Sequence, residues 1–180
     1  MPKNIVIING SPRKDGNTEI LVDAFIEGAE SSGNIVTKFN VGRMKINGCM
    51  DCKYCFTHLG ECVQKDDMRE LYSALYHTDM LVLASPVYWH GMTAQLKSAL
   101  DRMYVSTAKA MPITDAALIV VYGDTDTAAV EPTISHYNAT IKYMGWKDRG
   151  IITQSGVMKK GEIKGKSSLV EARNLGKSIQ

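Results

Sequence analysis

Nine consecutive residues, Gly10-Ser11-Pro12-Arg13-Lys14-Asp15-Gly16-Asn17-Thr18, have the makings of an anion site. They follow an apolar run and precede an amphipathic one, so they read as the connection from a strand into a helix. Backbone N–H groups at a helix start have no partner within the helix, and the helix dipole adds positive potential there. Ser11, Asn17 and Thr18 add neutral donors, and Arg13 adds a planar fork matched to phosphate oxygens. Two other phosphate loops are excluded by spacing. A Walker A loop has four residues between its glycines and a Lys before the Ser or Thr. Here five residues separate Gly10 from Gly16, and Asn17 precedes Thr18. The G-x-G-x-x-G run of dinucleotide sites is also absent. Nucleotide hydrolysis and tight dinucleotide binding in this loop are therefore disfavoured. The alternative is a polar turn that only caps its helix.

A second segment, Ser85-Pro86-Val87-Tyr88-Trp89-His90-Gly91-Met92, follows another apolar run and is expected at the same end of the sheet. Pro86 stiffens the strand exit, Gly91 lets backbone approach a flat ligand, and Tyr88 and Trp89 supply flat, partly polar surface. Core packing of the two aromatics is the competing reading, and His90 is read as a bystander. A phosphate anchor beside a flat, amide-rich wall that includes Val87 suits FMN. Gly123-Asp124-Thr125 falls in a third loop expected to face the same crevice.

The third segment holds all the cysteines. Cys49, Cys52, Cys55 and Cys62 are spaced C-x2-C-x2-C-x6-C, and the first three resemble the ligand run of bacterial ferredoxins. Three thiolates so close together let one loop wrap a cubane. Structural zinc more often uses two separated ligand pairs. A reversible Cys52–Cys55 disulfide and four free thiols are further readings. His58 has neither ferredoxin-like nor zinc-knuckle spacing and is expected to face solvent. None of the cysteines is followed six positions later by Arg, which excludes the nucleophile loop of low-molecular-weight phosphatases.

Positioning these segments falls to alternating strand-like and helix-like runs over 180 residues, of which 44% are hydrophobic. That length and content predict one domain, residues 1–180, with a sizeable core. Strands are expected at Ile5 to Ile8, Ile35 to Val41, Met80 to Ala84, Ala117 to Tyr122 and Gly150 to Gln154. Helices are expected at about Thr18 to Ser32, Asp66 to Tyr76, Thr93 to Tyr104, Ala128 to Met144 and Ser168 to Ile179, with a cysteine-rich loop from Ile46 to Val63. The α/β alternation with right-handed crossovers predicts a five-stranded parallel sheet in the order 2-1-3-4-5, covered by helices on both faces as a three-layer flavodoxin-like sandwich. Ligands of such sheets sit beyond the carboxyl ends of the strands, at the switch point between strands 1 and 3. A net charge of +2, from 21 basic and 19 acidic residues, argues against nucleic-acid and membrane-surface partners. The opening residues lack the pattern of a signal peptide, so a cytoplasmic location is expected. Structural disulfides are rare there.

Gly10-Ser11-Pro12-Arg13 with Gly16-Asn17-Thr18 is one of three segments that together resemble the NADPH-dependent FMN reductase and iron-sulfur flavoprotein family of flavodoxin-like proteins. The others are the four-cysteine loop leading into Asp66-Asp67-Met68, and Ser85-Pro86-Val87-Tyr88-Trp89 followed by Ala94-Gln95-Leu96-Lys97 and Asp101-Arg102. The resemblance implies FMN held at its phosphate by Ser11, Arg13, Asn17 and Thr18 and at its ring by Pro86 to Trp89 and Gly91. It implies a [4Fe-4S] cluster on the four cysteines, relaying electrons to or from the flavin. It further implies a homodimer or homotetramer whose neighbouring subunit helps to cover the flavin. The expected activity is an FMN-dependent oxidoreductase that takes electrons from NAD(P)H and passes them to a quinone, a flavin, a nitro compound or a protein. No protein side chain is assigned a catalytic role, because the cofactor carries the chemistry. A non-enzymatic electron carrier is the alternative.

Overall fold

Ile5 and Ile7 belong to one hydrophobic cluster and Val6 and Ile8 to the other, and all four are buried. A strand buried on both faces belongs in the interior of a parallel sheet. The computed structural model, which describes residues 1–180, places this strand, β1 (Asn4–Asn9), between β2 (Ile35–Phe39) and β3 (Met80–Pro86). β4 (Asp115–Val121) and β5 (Lys147–Gln154) complete the sheet in the order 2-1-3-4-5, parallel throughout. The expected strand order and flavodoxin-like layering are both found.

One face of the sheet is covered by α1 (Asn17–Ser31) and α6 (Ser167–Lys177). These two helices approach at glycines: a Cβ on Gly28 would stand 2.0 Å from the carbonyl oxygen of Arg173, and one on Gly176 would stand 2.2 Å from that of Phe25. The other face is covered by α3 (Met68–Leu75), α4 (Ala94–Arg102) and α5 (Glu131–Met144). The short helix α2 (Tyr54–Thr57) interrupts the cysteine loop. No helix is long and apolar enough to cross a membrane.

Two strands start earlier than their apolar content predicts. β4 begins at Asp115, whose buried carboxylate is paired with Lys3 and lies 3.7 Å from Arg149. β5 begins at Lys147, since an edge strand tolerates the charged run Lys147-Asp148-Arg149 that a central strand would not. β2 stops at Phe39 instead of Val41, where a 3-10 turn over Val41–Arg43 begins. That turn braces the loop after β1, because a Cβ on Gly42 would fall 2.2 Å from the carbonyl oxygen of Ser11.

Candidate functional site

β1 and β3 stay paired to their carboxyl ends, where the chain leaves them in opposite directions along the sheet, and the first loop is fixed there at Gly10. Its N–H donates to the carbonyl of Ala84 at 2.8 Å, and its own carbonyl accepts from the Thr93 hydroxyl at 2.9 Å. A Cβ at Gly10 would lie 2.5 Å from Thr93 Oγ1 and 2.6 Å from Leu96 Cβ. Gly10 therefore lets the first loop lie against the start of α4. Asn9 Oδ1 then accepts the Ser11 N–H at 3.0 Å and orients the loop toward α1.

The first turn of α1 has no side-chain cap, since its N-cap residue is Gly16. Gly16 does not itself line the crevice, but a side chain there would crowd Arg13, with Cβ only 3.0 Å from Arg13 Cβ. Ser11, Arg13, Asn17 and Thr18 line one wall of a crevice whose opposite wall is Pro86, Val87 and Tyr88. Val121, Tyr122 and Gly123 form its floor side, and Val157 and Met158 close it. Two sequence-separated expectations, an anion loop and an aromatic loop, thus converge on one cavity of about 130 Å3.

An acidic residue so near a candidate anion site is unfavourable unless neutralised. Glu19, in the first turn of α1, is held by Arg43 at 3.2 Å and Lys38 at 3.5 Å and accepts the Asp15 N–H at 2.7 Å. Burial works to raise its pKa, but these partners, led by the Arg43 hydrogen bond, bring it below the ordinary carboxylate value. Its charge is therefore spent on Arg43 and Lys38, and the sequence reading missed this group entirely.

The β5–α6 loop was also missed, because nothing in its spacing marks it. Asn17 donates from Nδ2 to the Lys159 carbonyl at 2.8 Å and accepts the Gly161 N–H at 2.9 Å. Its side-chain amide holds that loop in place. Arg13 Nη1 donates to the Met158 carbonyl at 2.7 Å from the rim of the crevice.

Trp89, Gly91 and Asp124 stand outside the crevice wall. Paired backbone hydrogen bonds between Tyr88 and Gly91, at 2.9 and 3.0 Å, close a two-residue turn with Trp89 and His90 at φ 50° and 60°. Tight hairpin turns require positive φ at both central positions, which Asn-Gly normally supplies. Here two bulky residues occupy them, and Trp89 is 99% exposed at the tip. Asp124 instead turns into its own loop, accepting the Asp126 N–H at 3.0 Å.

The four cysteines line a second, narrower pocket with Tyr104, Val105 and Arg102. The thiols line it without converging, and no three Cys, His, Asp or Glu side chains stand together as a metal site. Other features of the pocket fit an anionic sulfur-rich group. Asp51 and Lys53, between the cysteines, have φ of 50° and 60°, the left-handed form that takes part in anion-binding backbone nests. The Asp51 N–H already donates to Cys49 Sγ at 3.5 Å. Arg102 is 1% exposed, and its Nε–H has no partner. His58 is exposed, as expected, and stacks on Tyr54 with ring centroids 3.5 Å apart.

Residues 3–142 match the family model of NADPH-dependent FMN reductase. An iron-sulfur flavoprotein of Archaeoglobus fulgidus is 38% identical over 176 residues, 96% of this chain and 76% of that protein. A second iron-sulfur flavoprotein, from Methanocaldococcus jannaschii, is 39% identical over 102 residues, 57% of this chain and 51% of that protein. In the latter comparison the match spans about half the length of the relative. Among solved structures, the NAD(P)H:quinone oxidoreductase from Methanothermobacter marburgensis superposes with a TM-score of 0.77 at 18% identity, covering 98% of this chain and 96% of that one. An FMN-dependent NADH-azoreductase from Bacillus anthracis, in complex with FMN, superposes with a TM-score of 0.70 at 14% identity, covering 96% and 97%. At these identities the superpositions speak for the fold, and the sequence matches decide the family. The chain belongs to the NADPH-dependent FMN reductase family of oxidoreductases.

Proposed function

We propose that the protein binds FMN in the crevice between the β1–α1 loop and the Pro86–Tyr88 wall, and uses it to move electrons from NAD(P)H to an acceptor. The observation that carries this reading is the convergence of an uncapped helix start, Arg13 and Ser11 with the Pro86-Val87-Tyr88 backbone on one cavity at the switch point of the sheet. Bound there, FMN would accept two electrons from a nicotinamide and release them singly or together. Ser11, Arg13 and the first-turn N–H groups of Asn17 and Thr18 would hold the phosphate. Tyr88 and the backbone from Pro86 to Tyr88 would hold the ring. Gly123 keeps the floor low enough for Met158, since a Cβ there would lie 2.4 Å from Met158 Cγ.

The crevice is smaller than the ~300–1,000 Å3 common for small-molecule pockets. A flavin seated in it leaves ring surface uncovered, and Trp89 stands fully exposed beside it. We assign that surface to a second copy of the chain, in a homodimer or homotetramer.

The cysteine pocket suits a [4Fe-4S] cluster by its four-thiol donor set, the Asp51 N–H on Cys49 Sγ and its buried cation. When bound, a cluster would relay single electrons between the flavin and a protein or small-molecule acceptor. Cys49, Cys52, Cys55 and Cys62 would be its ligands. Steady-state oxidation of NADH and NADPH with quinone, flavin, nitro-aromatic and one-electron acceptors tests the enzymatic reading. Turnover with at least one acceptor supports it. Flavin that is reducible by dithionite, but by neither nicotinamide, would leave a passive electron carrier.

A further inference from the structure

We infer that Arg102 sets the reduction potential of the group held by the four cysteines, by pinning a buried positive charge and an unpaired Nε–H against the thiol pocket. This rests on the cluster reading given above.

A buried guanidinium without a full set of partners is costly unless something supplies the missing acceptor. Arg102 comes from the last residue of α4 and is buried, yet it lines the same pocket as all four cysteines. Two of its nitrogens already have partners outside the cysteines. Nη1 donates to Asp66 Oδ2 at 2.8 Å and to the Asn47 carbonyl at 3.0 Å, and Nη2 donates to Asp66 Oδ1 at 3.1 Å. Asp66 is itself fixed by the N–H groups of Asn47 at 3.0 Å and Met68 at 3.3 Å. The Tyr72 ring lies 6.0 Å from the guanidinium carbon, and its hydroxyl donates to the Arg102 carbonyl at 2.8 Å. The guanidinium is thus clamped from Asp66, Asn47 and Tyr72, and Nε–H is the donor left over. An arginine guanidinium stays protonated in proteins, and Asp66 is its buried counter-ion. The charge is therefore permanent.

A [4Fe-4S] cluster with four thiolates is an anion, and reduction makes it more negative. A fixed cation and a hydrogen bond to sulfur both favour the reduced form, and these are recognised levers on cluster potential. Lys53 lines the same pocket, but it is exposed and paired with Asp51, so water screens it.

The test is the midpoint potential of the anaerobically reconstituted full chain, followed by EPR of the reduced cluster. In Arg102→Gln the ratio of reduced to oxidised cluster at a fixed potential should fall at least tenfold, about 59 mV for one electron. In Asp66→Asn, which removes the compensating negative charge and keeps Arg102, the potential should rise. Lys53→Gln should shift it less than Arg102→Gln. A merely structural role would move Arg102→Gln and Asp66→Asn in the same direction, because both break one ion pair. Should either fail to fold, Arg102→Lys carries the test: it keeps a cation for Asp66 but loses Nε–H, and its potential should fall by a smaller amount. Unchanged potential in Arg102→Lys and Arg102→Gln, with wild-type iron content, overturns the inference and leaves the cluster reading intact. Wild-type protein that takes up no iron overturns both.

Discussion

Truncating Arg13 to Ala removes two interactions at once, the fork aimed at the proposed phosphate site and the 2.7 Å hydrogen bond from Nη1 to the Met158 carbonyl. The first acts only on a phosphorylated ligand. The second steadies a loop that lines the crevice for any flavin. A hydrogen bond to a charged group contributes about 1.5–3 kcal/mol, and each ~1.4 kcal/mol is tenfold in affinity. Arg13 is exposed, so solvent screening places the expectation near the lower end, roughly tenfold. Titrating apoprotein with FMN and with riboflavin, for wild type and Arg13→Ala, separates the two roles. Loss of the loop contact weakens both ligands and cancels in the ratio of their affinities. The phosphate contribution survives in that ratio. We expect the preference for FMN over riboflavin to fall about tenfold, and to fall further in wild type than in the variant as salt is raised. A preference unchanged by the substitution would refute Arg13 as a phosphate ligand and leave it only as a clamp on the β5–α6 loop.

Gly10→Ala should destabilise the fold by about 1–3 kcal/mol in urea denaturation, because its Cβ would collide with Thr93 and Leu96, both buried. Wild-type stability there would show that the two loops have room between them. Cys52→Ala should lose reconstituted iron yet keep FMN, since the cysteine pocket and the crevice share no lining residue; parallel loss of flavin would contradict their independence. Burial raises the Asp66 pKa, but the Arg102 hydrogen bond and further partners bring it below its ordinary value. The native state therefore binds fewer protons than the unfolded state, so the contribution of this pair is complete above the unfolded carboxylate pKa of about 3.9 and is lost as pH falls through the folded one. Urea midpoints measured between neutral and acid pH should fall less steeply for Asp66→Asn than for wild type, and identical slopes would refute the coupling.

The sheet was legible because each central strand carries a short apolar run, separated from the next by helix-length segments. Edges and braces were not. β5 starts in Lys147-Asp148-Arg149, whose charges say nothing of a strand until it is known to lie at an edge. The anion loop and the aromatic wall were legible as segments, and the topology rule brought them together. Their detailed roles were not, since these depend on contacts across the chain. Asn17 spends its amide on residues beyond position 158, Glu19 is neutralised from the turn after β2, and Trp89 is turned outward by the bonds between Tyr88 and Gly91. The cysteine spacing marked the proposed donors, but the burial of Arg102 in their pocket follows only from its link to Asp66, 36 positions away.

The central claim, that FMN occupies the crevice at the β1–β3 switch point, is tested most directly by identifying the flavin. Purified protein, saturated with a mixture of FMN and FAD, desalted and heat-denatured, should release FMN at one per chain and little FAD, because the loop offers one phosphate site and no dinucleotide fingerprint. Release of FAD at one per chain, or of no flavin at all, would contradict the account.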